Sequence, residues 1–198
     1  DGGGLSIWNR KENRFSNFKN LSGNHHSLCS DFVTSIVEDY QHEIWITTWG
    51  TGIYRYNKAA GAFEHYACMN PVSGREDKNT WLLYEDGEKN LWAGTCTGGL
   101  LYRLNRNSQR FEVFDSRLTN ILSMAEDRKG SFWAGDYTSL IKVDKATRRH
   151  IKFNIGYPVR VFHEDKAGNC WIGTEGGGLL MFCREKGAYT RYTKANGL

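Results

Sequence analysis

Short apolar runs of about four residues recur along the chain, separated by polar turns carrying glycine, asparagine and aspartate. Runs of this length bounded by turn residues predict β-strands. They fall into repeating sets of four. The first run of each set is Val33-Thr34-Ser35-Ile36, Thr80-Trp81-Leu82-Leu83, Ile121-Leu122-Ser123-Met124 or Val159-Arg160-Val161-Phe162. Its apolar residues lie on both faces, which predicts a strand buried on both sides. The second run carries a tryptophan: Ile44-Trp45-Ile46-Thr47, Leu91-Trp92-Ala93-Gly94, Phe132-Trp133-Ala134-Gly135 and Cys170-Trp171-Ile172-Gly173. A small residue two places after the tryptophan predicts close approach of a neighbouring sheet.

The third run is Ile53-Tyr54-Arg55-Tyr56, Leu101-Tyr102-Arg103-Leu104, Leu140-Ile141-Lys142-Val143 or Leu179-Leu180-Met181-Phe182. The fourth is fixed by an aromatic ruler. Asn57, Asn105, Asp144 and Cys183 are followed six residues later by Phe63, Phe111, His150 and Tyr189, and nine later by Tyr66, Phe114, Phe153 and Tyr192. Leu5-Ser6-Ile7-Trp8, Asn9, Phe15 and Phe18 fit the same ruler. The chain therefore reads as the second half of one unit followed by four complete units.

Between the first and second runs an invariant phrase appears: Glu-Asp, five residues, Trp. It occurs as Glu38-Asp39 to Trp45, Glu85-Asp86 to Trp92, Glu126-Asp127 to Trp133 and Glu164-Asp165 to Trp171. The tryptophans are 47, 41 and 38 residues apart, a period that marks a repeat architecture. Repetition argues against a catalytic carboxylate dyad. The aspartate is expected to accept hydrogen bonds from turn amides.

Four antiparallel strands per repeat of ~40 residues, with a strand-borne tryptophan, describe a β-propeller blade. The predicted fold is all-β, a β-propeller with four-stranded antiparallel blades in one segment spanning 1–198. Residues 1–20 form the outer half of a blade, and complete blades occupy 32–67, 79–115, 120–154 and 158–193. About 4.5 blades lies at the low end of the usual range of ~4–8. The two inner strands of the first blade are lacking, so the segment reads as an arc of a larger propeller in preference to a self-contained five-bladed ring.

Composition supports this class without naming an activity. The 198 residues include 22 glycines and 2 prolines, and the charge is +4 from 26 basic and 22 acidic residues. So small and scattered an excess does not describe a nucleic-acid footprint, and Arg148-Arg149-His150 reads as a solvated strand end. No apolar run approaches the ~20 residues of a membrane helix. No signal peptide opens the sequence, and any targeting segment would lie outside it. Direct membrane contact is not expected. Five cysteines without a Cys-x-x-Cys indicate neither a zinc site nor a disulfide framework.

Glu164-Asp165-Lys166-Ala167-Gly168-Asn169-Cys170-Trp171-Ile172-Gly173-Thr174, followed by Gly177-Gly178-Leu179, resembles the two-component regulator propeller repeat. The resemblance recurs in every unit. Departures occur at Asp136-Tyr137-Thr138-Ser139, at Thr47 and at Cys183. What the resemblance implies is a periplasmic sensor region of a hybrid two-component histidine kinase of Bacteroides-type bacteria, responding to a glycan fragment or other small molecule. It also implies that the arc belongs to a seven-bladed ring, partnership with other sensor or propeller domains, and a possible homodimer. No catalysis, cofactor or metal is expected of this segment.

Ligand contacts are expected on the loops between the second and third strands, which share a face with the loops between blades. Trp49 and Tyr137 offer aromatic faces there, and Asp136 and Glu175 offer acceptors, a combination suited to a sugar. The two aromatics could equally cover the blade tops. Arg160, with Trp81, is an unusual residue for an inner strand and a candidate for lining the central channel. His163 reads as packed or channel-lining. His25-His26 lacks a third ligand at a suitable spacing for metal. An alternative is an enzyme similar to the streptogramin-lactone lyases, with His163 and Glu175 as the acid–base pair. Another is a protein-binding scaffold.

Overall fold

The computed structural model describes residues 2–24 and 27–197; His25 and His26 lie outside the described residues. The chain opens with the hairpin β1 (Leu5–Asn9) and β2 (Arg14–Phe18). Four complete blades follow. Blade 1 comprises β3 (Val33–Glu38), β4 (Ile44–Thr48), β5 (Gly52–Asn57) and β6 (Ala62–Tyr66). A short hairpin, β7 (Met69–Asn70) and β8 (Arg75–Glu76), precedes blade 2. Blade 2 contains β9 (Thr80–Glu85), β10 (Leu91–Thr95), β11 (Leu100–Asn105) and β12 (Arg110–Thr119). Blade 3 contains β13 (Ser123–Glu126), β14 (Phe132–Gly135), β15 (Ser139–Val143) and β16 (His150–Asn154). Blade 4 contains β17 (Val159–Glu164), β18 (Cys170–Thr174), β19 (Leu179–Cys183) and β20 (Ala188–Tyr192). Each blade is an antiparallel meander whose sequential strands are neighbours. The fold is an all-β propeller.

The predicted corner forms in all four blades. One oxygen of Asp39, Asp86, Asp127 and Asp165 accepts from the amides two and four residues on. The other accepts the indole N–H of Trp45, Trp92, Trp133 or Trp171 at 2.9–3.0 Å. The spacing is invariant because one side chain closes the turn and anchors the next strand.

The glutamate stitches blades together. Glu85, Glu126 and Glu164 each accept from the amide that follows the aspartate of the preceding blade: Tyr40 at 3.0 Å, Gly87 at 2.6 Å and Arg128 at 2.7 Å. A cation from the third-to-fourth strand turn then bridges each seam. Arg106 contacts Asp39 and Glu85, Lys145 contacts Asp86 and Glu126, and Arg184 contacts Asp127 and Glu164.

Apolar packing fills the same seams. Trp45 packs with Leu83, Leu91 and Tyr102 of blade 2, and Trp92 with Phe132 and Ile141 of blade 3. Trp133 packs with Phe162, Ile172 and Leu180 of blade 4. Small residues permit this approach as expected. A Cβ on Gly94 would stand 2.7 Å from the Ile121 carbonyl oxygen, and one on Gly135 would stand 2.5 Å from a Val159 methyl.

The burial of the inner strand differs from expectation. Inner strands are only partly buried, whereas β10 and β14 are buried throughout. The second strand is covered by sheets on both sides, but part of the first faces the axis. Blade 4 also has one uncovered face. Trp171 is partly exposed there, whereas Trp45, Trp92 and Trp133 are buried, and Val161 is 51% exposed, whereas its counterparts Ser35, Leu82 and Ser123 are partly or fully buried.

Candidate functional site

The inter-blade loops and the second-to-third strand loops meet at one end of the arc. Their positions are set by backbone bonds: Trp49 N to Phe32 O, Cys96 N to Asn79 O and Glu175 N to Pro158 O, each 2.9 Å. In blades 1, 2 and 4 the first residue of the loop is thus tied to the segment entering its own blade, whereas in blade 3 Asp136 N bonds to Ser139 O within the loop. The side chain at this position remains free to differ between blades.

Residues from all four blades converge at this end. The Trp49 and Trp81 rings meet edge to face with centroids 6.0 Å apart. The Arg160 guanidinium lies 4.7 Å from the centre of Trp81. Arg160 Nε donates to Glu175 at 2.8 Å, and its Nη2 reaches the same carboxylate oxygen. Blades 2 and 4 therefore touch across the inner side of blade 3. Arg160 Nη1 is buried and has no hydrogen-bond partner among the described residues.

Cys96 and Tyr137 extend the cluster. Burial raises the Cys96 thiol to about 11, opposed by a hydrogen bond with Tyr137 and the charge of Arg160. Burial also raises the Tyr137 phenol, reinforced by Cys96. Neither group is poised for proton transfer near neutrality. The cluster offers aromatic faces, a guanidinium and a carboxylate, a set suited to binding. Among the described residues no group of three or more metal-ligating side chains occurs.

The sequence candidates divide. Trp49, Tyr137, Arg160 and Glu175 belong to this region. Asp136 serves its own loop, with one oxygen accepting from Thr138 N at 2.8 Å and Ser139 N at 2.6 Å. Its residual exposure is 7%. His163 lies on the uncovered face of blade 4, and the equivalent Val37, Tyr84 and Ala125 pack into seams. It does not line the axis. It also cannot pair with Glu175: His163 opposes Trp171 near one end of the β17–β18 hairpin, whereas Glu175 follows Thr174, which opposes Val159 at the other. Trp81 is central to the cluster. Its signal in the sequence is a tryptophan where the other inner strands carry Thr34, Leu122 and Arg160.

Residues 27–50 match the family described as Two component regulator propeller. Residues 27–50 thus carry a two-component regulator propeller repeat. The matched stretch runs from the entry of blade 1 through β4 and contains the first Glu-Asp-x5-Trp phrase. The propeller is similar to the extracellular domain of the hybrid two component system BT3049 from B. thetaiotaomicron. That alignment has a TM-score of 0.77 and 23% identity, and covers 96% of this chain and 26% of that one. It is also similar to the extracellular domain of BT4673 from the same organism, with a TM-score of 0.74, 16% identity, and 98% and 28% covered. Virginiamycin B lyase from Staphylococcus aureus shares the fold at a TM-score of 0.69 and 14% identity, with 96% and 63% covered. The propeller repeats thus span under a third of the two extracellular domains, and likeness at these identities is one of fold. No curated protein sequence matches significantly.

Proposed function

We propose that this chain is a ligand-recognition part of an extracytoplasmic two-component sensor, binding a glycan fragment or other small molecule and passing the event to a membrane histidine kinase. The observation that carries the reading is the convergence of Trp49, Trp81, Arg160 and Glu175 at one end of the arc. These side chains depart from the repeat, while the corner and seam residues that build the fold recur. Stacked indoles fit the apolar faces of a sugar ring, and the charged pair fits its hydroxyl rim. The likeness of fold to extracellular domains of two component systems supports an extracytoplasmic setting. Neighbouring domains of the parent protein are the natural partners, and dimerisation is a further element of the proposal.

The test is calorimetric titration of the chain with a panel of neutral and acidic oligosaccharides, repeated with Trp81→Ala and Arg160→Gln. A binder is expected to lose at least tenfold in affinity in both variants. Equal affinity for the wild type and both variants would overturn the site, and turnover of a lactone or uronate substrate would favour the lyase alternative.

A further inference from the structure

A cavity of about 470 Å³ opens over the outer part of blade 2. Its lining includes Arg103 on β11, Phe114 on β12, Asn107 in the turn between them and Arg148 from the β15–β16 turn of blade 3. The two arginines arrive from different blades but meet one ring. Their guanidinium carbons stand 5.9 and 5.5 Å from the Phe114 centroid. Arg103 also lies 5.6 Å from the centre of Trp92.

Neither guanidinium is neutralised by a carboxylate among the described residues. Blade 1 shows why this departs from the repeat. Arg55 occupies the position of Arg103 and is paired with its cross-strand neighbour Glu64 at 2.6 Å. Arg103 has the equivalent neighbour in Glu112. Glu112 instead accepts from Asn105 Nδ2 at 2.8 Å and Ser108 Oγ at 3.2 Å. The other carboxylate of the lining, Glu88, is 3.1 Å from Lys145. Lys89 faces Glu85 at 3.9 Å, and Arg106 is held by Asp39. Glu112 stays in the lining as a negative charge bonded only to neutral donors, and Glu88 shares Lys145 with Asp86 and Glu126, but neither lies within ion-pair distance of Arg103 or Arg148 among the described residues, so both guanidinium groups keep their donors for the cavity.

We propose that the cavity between Arg103 and Arg148 binds an oxyanion: a sulfate, phosphate or carboxylate group on a small ligand. A guanidinium presents parallel N–H donors that match such groups, and two from adjacent blades would hold the anion across the seam. Half-burial of Arg103 against two aromatic rings fixes its position, and aromatic contact leaves its in-plane donors available. Because the site bridges blades 2 and 3, its occupation would reinforce that seam. It stands apart from the axial cluster and does not depend on the proposal for that site.

The experiment titrates inorganic sulfate, inorganic phosphate and acetate separately in the low-millimolar range, against sodium chloride at matched ionic strength. Binding is read by calorimetry and by the Nε–H resonance of Arg103. Saturable binding of at least one anion is expected, with its affinity falling tenfold or more in both Arg103→Gln and Arg148→Asn. Arg110→Gln, at an exposed position outside the cavity, should bind as the wild type does. Asparagine tolerates the left-handed backbone at Arg148, where φ is 58°, so this variant keeps the test available if Arg103→Gln disturbs packing. The strongest-binding anion identifies the preferred group. No saturable binding by any of the three, or equal binding in wild type and Arg148→Asn, would overturn the proposal.

Discussion

The indole nitrogen of Trp92 donates a 2.9 Å hydrogen bond to Oδ2 of Asp86, six residues earlier. The other oxygen of Asp86 accepts the amides of Glu88 and Asn90, and Lys145 of the next blade approaches the same carboxylate at 3.0 Å. One side chain thus joins the turn, the strand that follows it and the neighbouring blade. Asp86→Ala should cost roughly 3–5 kcal/mol, because it leaves a buried indole N–H and two turn amides unpaired and deprives Lys145 of a partner. Urea unfolding gives the value. Asp165→Ala, at the uncovered face of blade 4, should cost less. Equal losses at the two positions would count against a seam role for Asp86.

Lys145 is 13% exposed and stands between Asp86 and Glu126. Lys145→Met should destabilise the chain by about 2–4 kcal/mol at neutral pH by leaving two carboxylates facing each other. That deficit should narrow as pH falls toward 4, because protonating either carboxylate relieves the repulsion. Chemical denaturation of wild type and variant across this range measures the difference. A gap unchanged with pH would mean that Lys145 acts through packing alone.

The four corner aspartates predict acid sensitivity. Burial opposes ionisation of Asp39, Asp86 and Asp127, but hydrogen bonds from the indoles, turn amides and seam cations outweigh it and hold all three below the ordinary carboxylate range. Asp165 is held low first by Trp171 and Asn169. A pKa depressed in the folded state contributes stability above the unfolded value of about 3.9, and this is lost as pH falls toward the folded value. With respect to these groups, stability should be level from pH 7 to about 5 and fall steeply below about 4. Thermal melts between pH 7 and 2.5 test this.

Gly94 and Gly135 each lie where a neighbouring blade touches the Trp-bearing strand. Alanine at Gly94 would meet a backbone carbonyl and a Leu82 methyl at 2.7 Å, so about 1–3 kcal/mol should be lost through overpacking. Gly130 differs: its φ is 75° and no atom lies within 4 Å of a built Cβ. Alanine there should cost only about 1 kcal/mol, through backbone conformation alone. Melting temperatures of the two variants should rank accordingly.

Much of the fold was legible because its signals are local and repeated. The Glu-Asp-x5-Trp spacing encodes a turn and an anchor within six residues, and the aromatic ruler places both outer strands. The partner of the glutamate was not legible. Glu126 reaches back to Gly87, and Lys145 bridges to Asp86, through contacts 39 and 59 residues apart. The sites divide in the same way. Trp49, Tyr137 and Glu175 stand out in the sequence as loop residues that break the repeat. Asp136 shares that signal but turns one oxygen to its own loop and the other to Lys152 of the fourth strand, and His163 falls on the uncovered face of blade 4 because strand alternation directs it there.

By itself, the sequence determined the all-β class, the blade repeat, the corner aspartates and the loops where variation is concentrated. Each follows from residue type and short spacing, which act through turn geometry and strand alternation. Only the tertiary structure brought Trp81 of blade 2 against Arg160 of blade 4, and set Arg148 of blade 3 beside Arg103 of blade 2. Those meetings depend on how the blades rotate about the axis and on which carboxylate each arginine finds. Rigid packing across the seams settles both.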